Sequence, residues 1–220
     1  MTEVHTDAYR ELRVRVTALM ADVDVETMAL PSPATPEWTV HDVLAHLVGV
    51  TDDVVNGRLD GVATDEWTRK QVDARRDATK DEMLAEWTEK GPAFEELMRG
   101  VPAEIAGQGL FDAATHEHDL RYALGRPDAR DSAAMDCAWD WMVMMRTGGI
   151  HFVTDEGDDV VAGRDAPAAT VKTSRFEILR ACTGRRSASE IAAYVWEGDP
   201  QPDLLIGAPF FTLRSEPLNE

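Results

Sequence analysis

Through the first part of the chain, apolar residues recur at intervals of three and four, the spacing of one face of an amphipathic helix. The first such run comprises Tyr9, Leu12, Val16, Leu19, Met20 and Val23. After the Pro-rich segment LPSPATPEW, Thr39 and Asp42 stand three residues apart, as an N-cap and its capping-box partner do. The pattern therefore predicts one helix before the Pro-rich segment and a second one that begins at Thr39.

A third helical stretch is predicted over residues 65–99. Within it, Thr79 and Glu82 form another capping-box pair. We expect Gly91-Pro92 to kink or interrupt this stretch, because proline has no N–H to donate to the helical ladder.

A fourth helix is predicted over residues 110–124, ended by Gly125 with Pro127 just beyond it. A fifth helix follows, with apolar positions Met135, Ala138, Trp139 and Met142. This Met and Trp stripe is typical of the core of a helical bundle.

The pattern changes after Gly148-Gly149, where GIHFVT alternates like a strand, DEGDD is typical of a turn, and VV and ATVK resemble short strands. Two short helices are predicted to follow, each from a capping-box pair: Ser174 with Glu177, and Ser187 with Glu190. We predict an α+β protein: an up-down helical bundle over residues 1–148, then a small mixed α/β domain over residues 149–220.

Composition excludes several classes of function. Hydrophobic residues make up 44% of the 220 positions and charged residues 29%, as in ordinary folded proteins. Lys and Arg number 22 against 41 Asp and Glu, and the resulting net charge of -19 disfavours nucleic acid and anionic lipid as partners. Solvated helix faces explain this acidity, with a dedicated cationic partner as the alternative.

Two cysteines, Cys137 and Cys182, lie far apart and form no CxxC or Cys/His pattern, so neither a disulfide framework nor a zinc finger is indicated. The first residues contain no apolar signal-peptide core, and no later stretch approaches the ~18 apolar residues of a membrane span. We expect a cytoplasmic protein.

Candidate chemistry is concentrated in the segment GLFDAATHEHDLRYALGRP. On a helix that turns about 100° per residue, Asp112, His116 and Asp119 fall on one side. His118 points about 160° away from His116 by the same geometry, and is expected to be a packing or surface residue. A carboxylate and an imidazole one turn apart can chelate a divalent cation, but two ligands leave its coordination incomplete.

A third ligand must come from another helix, and His46 in WTVHDVLAHLVG is the best candidate because it lies at the edge of an apolar stripe. Asp42, one turn earlier on the same flank, is expected to orient the His46 ring, and Asp119, on the same side of its helix as Asp112 and His116, is expected to lie behind the ligands. Polar residues on helix edges are usually only solvated, so the geometry alone leaves a metal-free bundle open. The other histidines, His5, His41 and His151, are placed elsewhere.

The two stretches PEWTVHDVLAHLVG and DAATHEHDLRYALGRP, with the later block SRFEILRACTGRRSASEIAAYVWEGD, resemble the mycothiol-dependent maleylpyruvate isomerase family, within the DinB-like metal-binding four-helix bundles. The likeness extends over nearly the whole chain. It implies a zinc ion held by His46, Asp112 and His116, with the remaining coordination positions open to water or a thiolate. The isomerase has Glu where this chain has Asp112, one methylene shorter.

Under this resemblance the chain is a metal-dependent enzyme, a mycothiol-dependent isomerase or S-transferase that acts on a small electrophile, as a monomer or homodimer. The alternative is a metal-binding stress or interaction protein without turnover. Arg185 and Arg186 could hold a substrate carboxylate, as could Arg175 and Arg180, although a solvated surface role is common for arginine.

Overall fold

The computed structural model describes residues 2–208 and 211–220 and divides them into two compact units, residues 1–128 and 129–220. The first unit is helical and the second contains a small mixed sheet, so the predicted α+β fold class is confirmed. Among the described residues, no helix combines the length and the apolar character needed to span a membrane.

The first unit is built on long helices, and a short β-hairpin lies between the first and the second long helix. Its elements are α1 (Thr2–Met20), α2 (Val25–Met28), β1 (Pro31–Ser32), β2 (Thr35–Thr39), α3 (Val40–Val55), α4 (Asp65–Ala74), α5 (Lys80–Gly100) and α6 (Ala103–Ala123). Helices α1 and α3 each pack against both α5 and α6, and α4 lies on α3. The core is fully buried at positions such as Leu12, Leu44 and Leu110, each 0% exposed.

The helix starts follow the predicted caps. Thr39 and Asp42 form a complete capping box at the start of α3, and Thr79 and Glu82 form one at the start of α5. Helix α6 begins seven positions before the predicted start at 110, directly after Pro102, and it ends as predicted before Gly125, whose φ is +61°. A φ in that range favours glycine and terminates the helix.

A kink or an interruption was expected at Gly91-Pro92, and the interruption is wrong, because α5 continues through Pro92 to Gly100. Proline clashes with the Cβ of the residue before it, and Gly91 has none. The space beside Gly91 is filled by the Arg13 side chain, whose Nε lies 2.4 Å from where a Cβ would stand. The stretch breaks instead between α4 and α5, at residues 75–79.

The second unit comprises α7 (Ala133–Met145), β3 (Ile150–Thr154), β4 (Asp159–Ala162), β5 (Thr170–Thr173), α8 (Arg175–Cys182), α9 (Ala188–Ala192) and β6 (Val195–Glu197). The sheet order is β4-β3-β5-β6, with β3 and β5 parallel and the outer pairs antiparallel. The three predicted strands are present, and β6 was not predicted.

Helix α7 belongs to the second unit, in which it packs on α8. The Trp139 ring meets the Phe152 ring edge to face at 5.5 Å. The change of sequence pattern at 148 marks the first strand of this unit, whereas the structural division precedes α7, so the boundary at 148 stays a prediction.

Candidate metal centre

Three side chains from two helices of the first unit converge on one point. His46 comes from α3, and Asp112 and His116 come from α6. Nε2 of His46 lies 3.3 Å from Oδ2 of Asp112, and Nε2 of His116 lies 3.7 Å from Oδ1 of Asp112. One donor atom from each residue falls within 4.8 Å of the other two.

This donor set fits a divalent metal ion. Zinc bonds of about 2.0–2.2 Å at a tetrahedral angle place two ligand atoms roughly 3.4 Å apart, close to the two spacings at Asp112. Two imidazoles and one carboxylate are also ligands that catalytic zinc uses, and three protein ligands leave a further position for an exogenous group.

The ring nitrogen of His46 that faces away from the centre, Nδ1, contacts a neighbouring side chain. Nδ1 of His46 lies 2.8 Å from Oε1 of Gln71 on α4. The amide nitrogen of Gln71 donates in turn to Oδ2 of Asp53 at 2.9 Å. Such a partner on the outer nitrogen of a ligating histidine fixes the ring orientation.

His116 is held in the same manner by a residue of its own helix. Its Nδ1 lies 3.0 Å from Oδ2 of Asp119, whose side chain is 0% exposed. Burial lowers the pKa of His116 from its ordinary value, with the hydrogen bond to Asp119 opposing that shift. A lowered pKa keeps the imidazole neutral near pH 7, which is the form that binds a metal.

Trp38 forms an aromatic wall beside both histidines. Its ring stacks on that of His116 at 5.6 Å and 24°, and lies 5.3 Å from that of His46. The strand β2 that carries Trp38 pairs with β1, and the backbone N–H of Val40 donates to the carbonyl of Leu30. This hairpin therefore places the indole against the site.

Access to the centre is on the side of Asp112. Its side chain is 37% exposed, whereas those of His46 and His116 are 4% and 10% exposed. The centre therefore meets solvent at Asp112, and the two imidazoles lie on its buried side.

The structure assigns Asp42 a different role from the predicted one. Both Thr39 N–H and Thr39 Oγ1 donate to Oδ2 of Asp42, so this carboxylate caps α3. Gln71 occupies the position beside Nδ1 of His46 that was expected for Asp42. The first turn of a helix favours a carboxylate, and here the cap uses it.

The remaining histidines lie apart from the triad. His118 is buried on α6 at 3% exposure, and Nε2 of His41 lies 2.9 Å from the carbonyl oxygen of Ala78. His151 is on β3 of the second unit, with its Nε2 2.6 Å from Asp159. His5 lies within α1.

Arg185 and Arg186 lie in the second unit, buried to 7% and 2% exposure, so neither is a solvated surface residue. Arg186 donates two parallel hydrogen bonds to Glu177, at 2.6 and 2.8 Å, and a third to Glu220 at 2.9 Å. Arg185 donates to the Thr183 carbonyl at 2.6 Å.

The other two candidate arginines also bind carboxylates of their own unit. Arg175 pairs with Asp158 and Asp136, and Arg180 with Glu220. Their charges stabilise the second unit internally, which does not support the predicted substrate contacts.

Sequence reasoning missed Gln71, Asp53 and the position of Trp38 beside both rings. A weak signal existed for Gln71, because it follows Trp67 by one helical turn and therefore lies on the one apolar side of α4. Nothing in the sequence pairs that helix with His46, 25 residues earlier.

The fold and the triad define a helical bundle with a candidate His–Asp–His site for a divalent metal. Residues 9–110 match the family described as the mycothiol maleylpyruvate isomerase N-terminal domain. The matched segment includes His46 and ends just before Asp112 and His116.

A solved structure extends the likeness to the second unit. A crystal structure of a histidine-to-alanine variant of mycothiol-dependent maleylpyruvate isomerase aligns with a TM-score of 0.61 and 13% sequence identity, over 91% of this chain and 96% of that one. At this identity the likeness concerns the fold. No curated protein matches the chain. The resemblance predicted from the sequence is confirmed.

Proposed function

We propose that this protein is a metal-dependent enzyme that uses a low-molecular-weight thiol, mycothiol by family, to isomerise or conjugate a small electrophile. The observation that carries the proposal is the convergence of His46, Asp112 and His116 at the donor spacing of one ion. Mycothiol is part of the name of the matched family and of the protein in the similar crystal structure.

The residues that would hold the metal are His46, Asp112 and His116. When bound, a zinc ion supplies Lewis acidity, which lowers the pKa of a thiol that coordinates it. The chain contributes three ligands and leaves room for a fourth, while Gln71 and Asp119 hold the two imidazoles.

The chain's own thiols do not suit the nucleophilic role. Both cysteines, Cys137 and Cys182, lie in the second unit and are buried. Burial raises the pKa of each thiol to about 11, so each stays protonated near pH 7. The sulfur nucleophile would therefore come from a cofactor, which supports a thiol-dependent reaction.

The negative charge of the protein and the exposure of the site restrict the kind of electrophile that can bind. A net charge of -19 disfavours large anions such as nucleic acids. The partly exposed Asp112 leaves an approach suited to a small molecule, and Trp38 lies beside the two imidazoles. A small electrophile that adds a thiol and then either eliminates it or keeps it would account for isomerisation or conjugation, respectively.

The test uses the full chain loaded with Co²⁺ and titrated with mycothiol. We expect about one equivalent of metal per chain, and an intense sulfur-to-metal charge-transfer band when the thiol binds. Thiol addition to maleylpyruvate or a related electrophile should then be faster with the loaded protein than with Co²⁺ alone.

Two results would count against the proposal. Metal that binds with no charge-transfer band for mycothiol or another cellular thiol would favour a metal-binding protein without turnover. Absence of metal binding would leave a helical bundle whose histidines only pack.

A further inference from the structure

Helix α4 is a polar helix whose buried side chains are Trp67 and Gln71. Gln71 is 2% exposed, so its amide is withdrawn from water. Burying an amide is unfavourable unless both its donor and its acceptor find partners. The position therefore calls for an explanation beyond packing, which an apolar side chain would serve equally well.

The partners of Gln71 determine which way its amide faces. Asp53 accepts a hydrogen bond from Nε of Arg58 at 2.8 Å on one oxygen and contacts the Gln71 amide at 2.9 Å with the other. Both oxygens of Asp53 act as hydrogen-bond acceptors in these contacts, one from the guanidinium and one from the amide. The end of Gln71 that faces Asp53 is thus the NH₂ group, and the end that faces His46 is the carbonyl oxygen.

The orientation of the amide fixes the proton on the neighbouring ring. A carbonyl oxygen only accepts, so Nδ1 of His46, 2.8 Å away, must carry a hydrogen. The nitrogen on the opposite side, Nε2, is the one that lies 3.3 Å from Asp112. It is then the atom whose lone pair can bind a metal.

We infer that Gln71, oriented by Asp53 and Arg58, is a positioning residue that holds His46 as the Nδ1–H tautomer and so presents Nε2 to the metal. The metal in this statement rests on the proposed function, whereas the tautomer can be tested in the metal-free protein. The hydrogen bonds pass from Arg58 through Asp53 and Gln71 to His46 at 2.8, 2.9 and 2.8 Å.

Several contacts fix α4 at the required distance. A Cβ at Gly49 would lie 2.4 Å from Cβ of Gln71, so α3 and α4 meet where only glycine fits. The indole N–H of Trp67 donates to the backbone carbonyl of Arg58 at 2.9 Å, and Arg75 donates to the backbone carbonyl of Gln71 at 3.3 Å. Gln71 is thus held at the oxygen and the nitrogen of its side-chain amide and at its backbone carbonyl.

The first experiment reads the tautomer directly, by long-range ¹H–¹⁵N correlation of the histidine rings in the metal-free full chain in mildly alkaline buffer. In native protein we expect Nδ1 of His46 to carry the ring proton. In Gln71→Leu, the correlation pattern of this tautomer should be lost. A native ring with bare Nδ1 and a proton on Nε2 would overturn the inference, whatever the protein does with metals.

The second experiment measures Zn²⁺ affinity by competition with a chelator. Gln71→Leu should bind Zn²⁺ about 10- to 100-fold more weakly than native protein, the usual effect of losing a partner of a ligating histidine. Gln71→Glu combined with Asp53→Asn keeps an oxygen that accepts from Nδ1 and gives the new carboxylate an amide donor at position 53, so this variant should retain most of the affinity. A purely structural role would lower the melting temperature of both variants without separating their affinities.

Should Gln71→Leu not fold, Asp53→Ala removes the group that orients the amide and should weaken Zn²⁺ binding in the same direction. Equal affinity of native protein and a folded Gln71→Leu variant would overturn the inference while leaving the metal site intact. If native protein itself binds no Zn²⁺, the proposed function fails, and the ring spectra still decide the tautomer.

Discussion

Each imidazole of the candidate metal centre is held at Nδ1 by one side-chain oxygen, from Gln71 for His46 and from Asp119 for His116. Both rings are nearly buried, and neither can rotate towards solvent without losing its hydrogen-bond partner. The donor atoms are therefore in place before an ion arrives, which favours tight binding.

We expect His46→Ala and His116→Ala each to abolish stoichiometric metal binding, because two remaining ligands are too few for a tight site. Metal content after gel filtration, by atomic emission, is the measurement. His41→Ala is the matched control, since His41 is on the same helix and contacts the Ala78 carbonyl instead. Full metal content in either ligand variant would show that the ion binds elsewhere.

At the residue scale, helical spacing predicted which side chains of α6 share a face, and the structure brings Asp112, His116 and Asp119 together there. The spacing of Asp112, His116 and Asp119 places them on one face whatever the rest of the fold does. Asp42 was assigned to His46 by the same reasoning, but the competing demand of the helix cap took its carboxylate. Helical spacing states which residues can meet, and not which of several partners each one takes.

At the scale of elements, the contact between α3 and α4 depends on Gly49. Gly49→Ala should cost about 1–3 kcal/mol of stability, because the new Cβ must displace the Gln71 side chain and with it α4. It should also weaken Zn²⁺ binding, since Gln71 would leave His46. Urea unfolding and chelator competition measure the two effects.

Gly100→Ala is the control, because nothing lies within 4 Å of its added Cβ. There the substitution should be neutral or stabilise by up to about 1 kcal/mol through reduced backbone freedom. If Gly49→Ala behaves like Gly100→Ala, then α4 is free to adjust and its close approach is not required.

In the second unit, α8 is attached to its surroundings by the pair of Glu177 and Arg186. The guanidinium of Arg186 is 3% exposed, and it holds the pKa of Glu177 below its ordinary value against the opposing effect of burial. Glu177→Gln should cost roughly 2–4 kcal/mol, since it leaves a buried charge with one carboxylate fewer. Thermal and urea unfolding of the full chain give this difference.

The sign of the pH dependence follows from the lowered pKa. Glu177 stabilises the folded state above its unfolded pKa of about 4.5, and this contribution is lost as the pH falls through the lower folded value. The gap in stability between native protein and Glu177→Gln should therefore shrink under acid conditions. Asp199→Asn, at an exposed position of the same unit, is the control and should change stability by less than about 0.5 kcal/mol. If the difference in stability between native protein and Glu177→Gln stays constant as the pH is lowered, the stabilising role of the Glu177–Arg186 pair is contradicted.

For the whole molecule, the boundary between the units is open to experiment. The structure groups α7 with the second unit, whereas the sequence pattern places the boundary after Gly148. A fragment of residues 129–220 should fold cooperatively, because it keeps Trp139 against Phe152. A fragment of residues 149–220 loses that contact and should not fold, as circular dichroism can show. If the shorter fragment folds as well, the boundary at 148 is the better one.

The complementary fragment carries every proposed ligand. Residues 1–128 contain α1 to α6, and with them His46, Asp112 and His116. We expect this fragment to bind about one equivalent of Zn²⁺ with an affinity close to that of the full chain, because the ligands and their partners are all inside it. Loss of metal from a folded fragment would mean that the second unit helps to hold the ion.

Local sequence was enough to predict where α3 and α5 begin, since Thr39 and Thr79 with their acidic partners close their caps within three residues. It also determined the face of α6 that carries the ligands, because helical geometry is local. The three-dimensional structure was needed to show that Gln71 holds His46 and that Arg186 is buried. Each of these depends on a contact between segments distant in sequence, where packing and competition among several partners set the outcome and no local spacing records it.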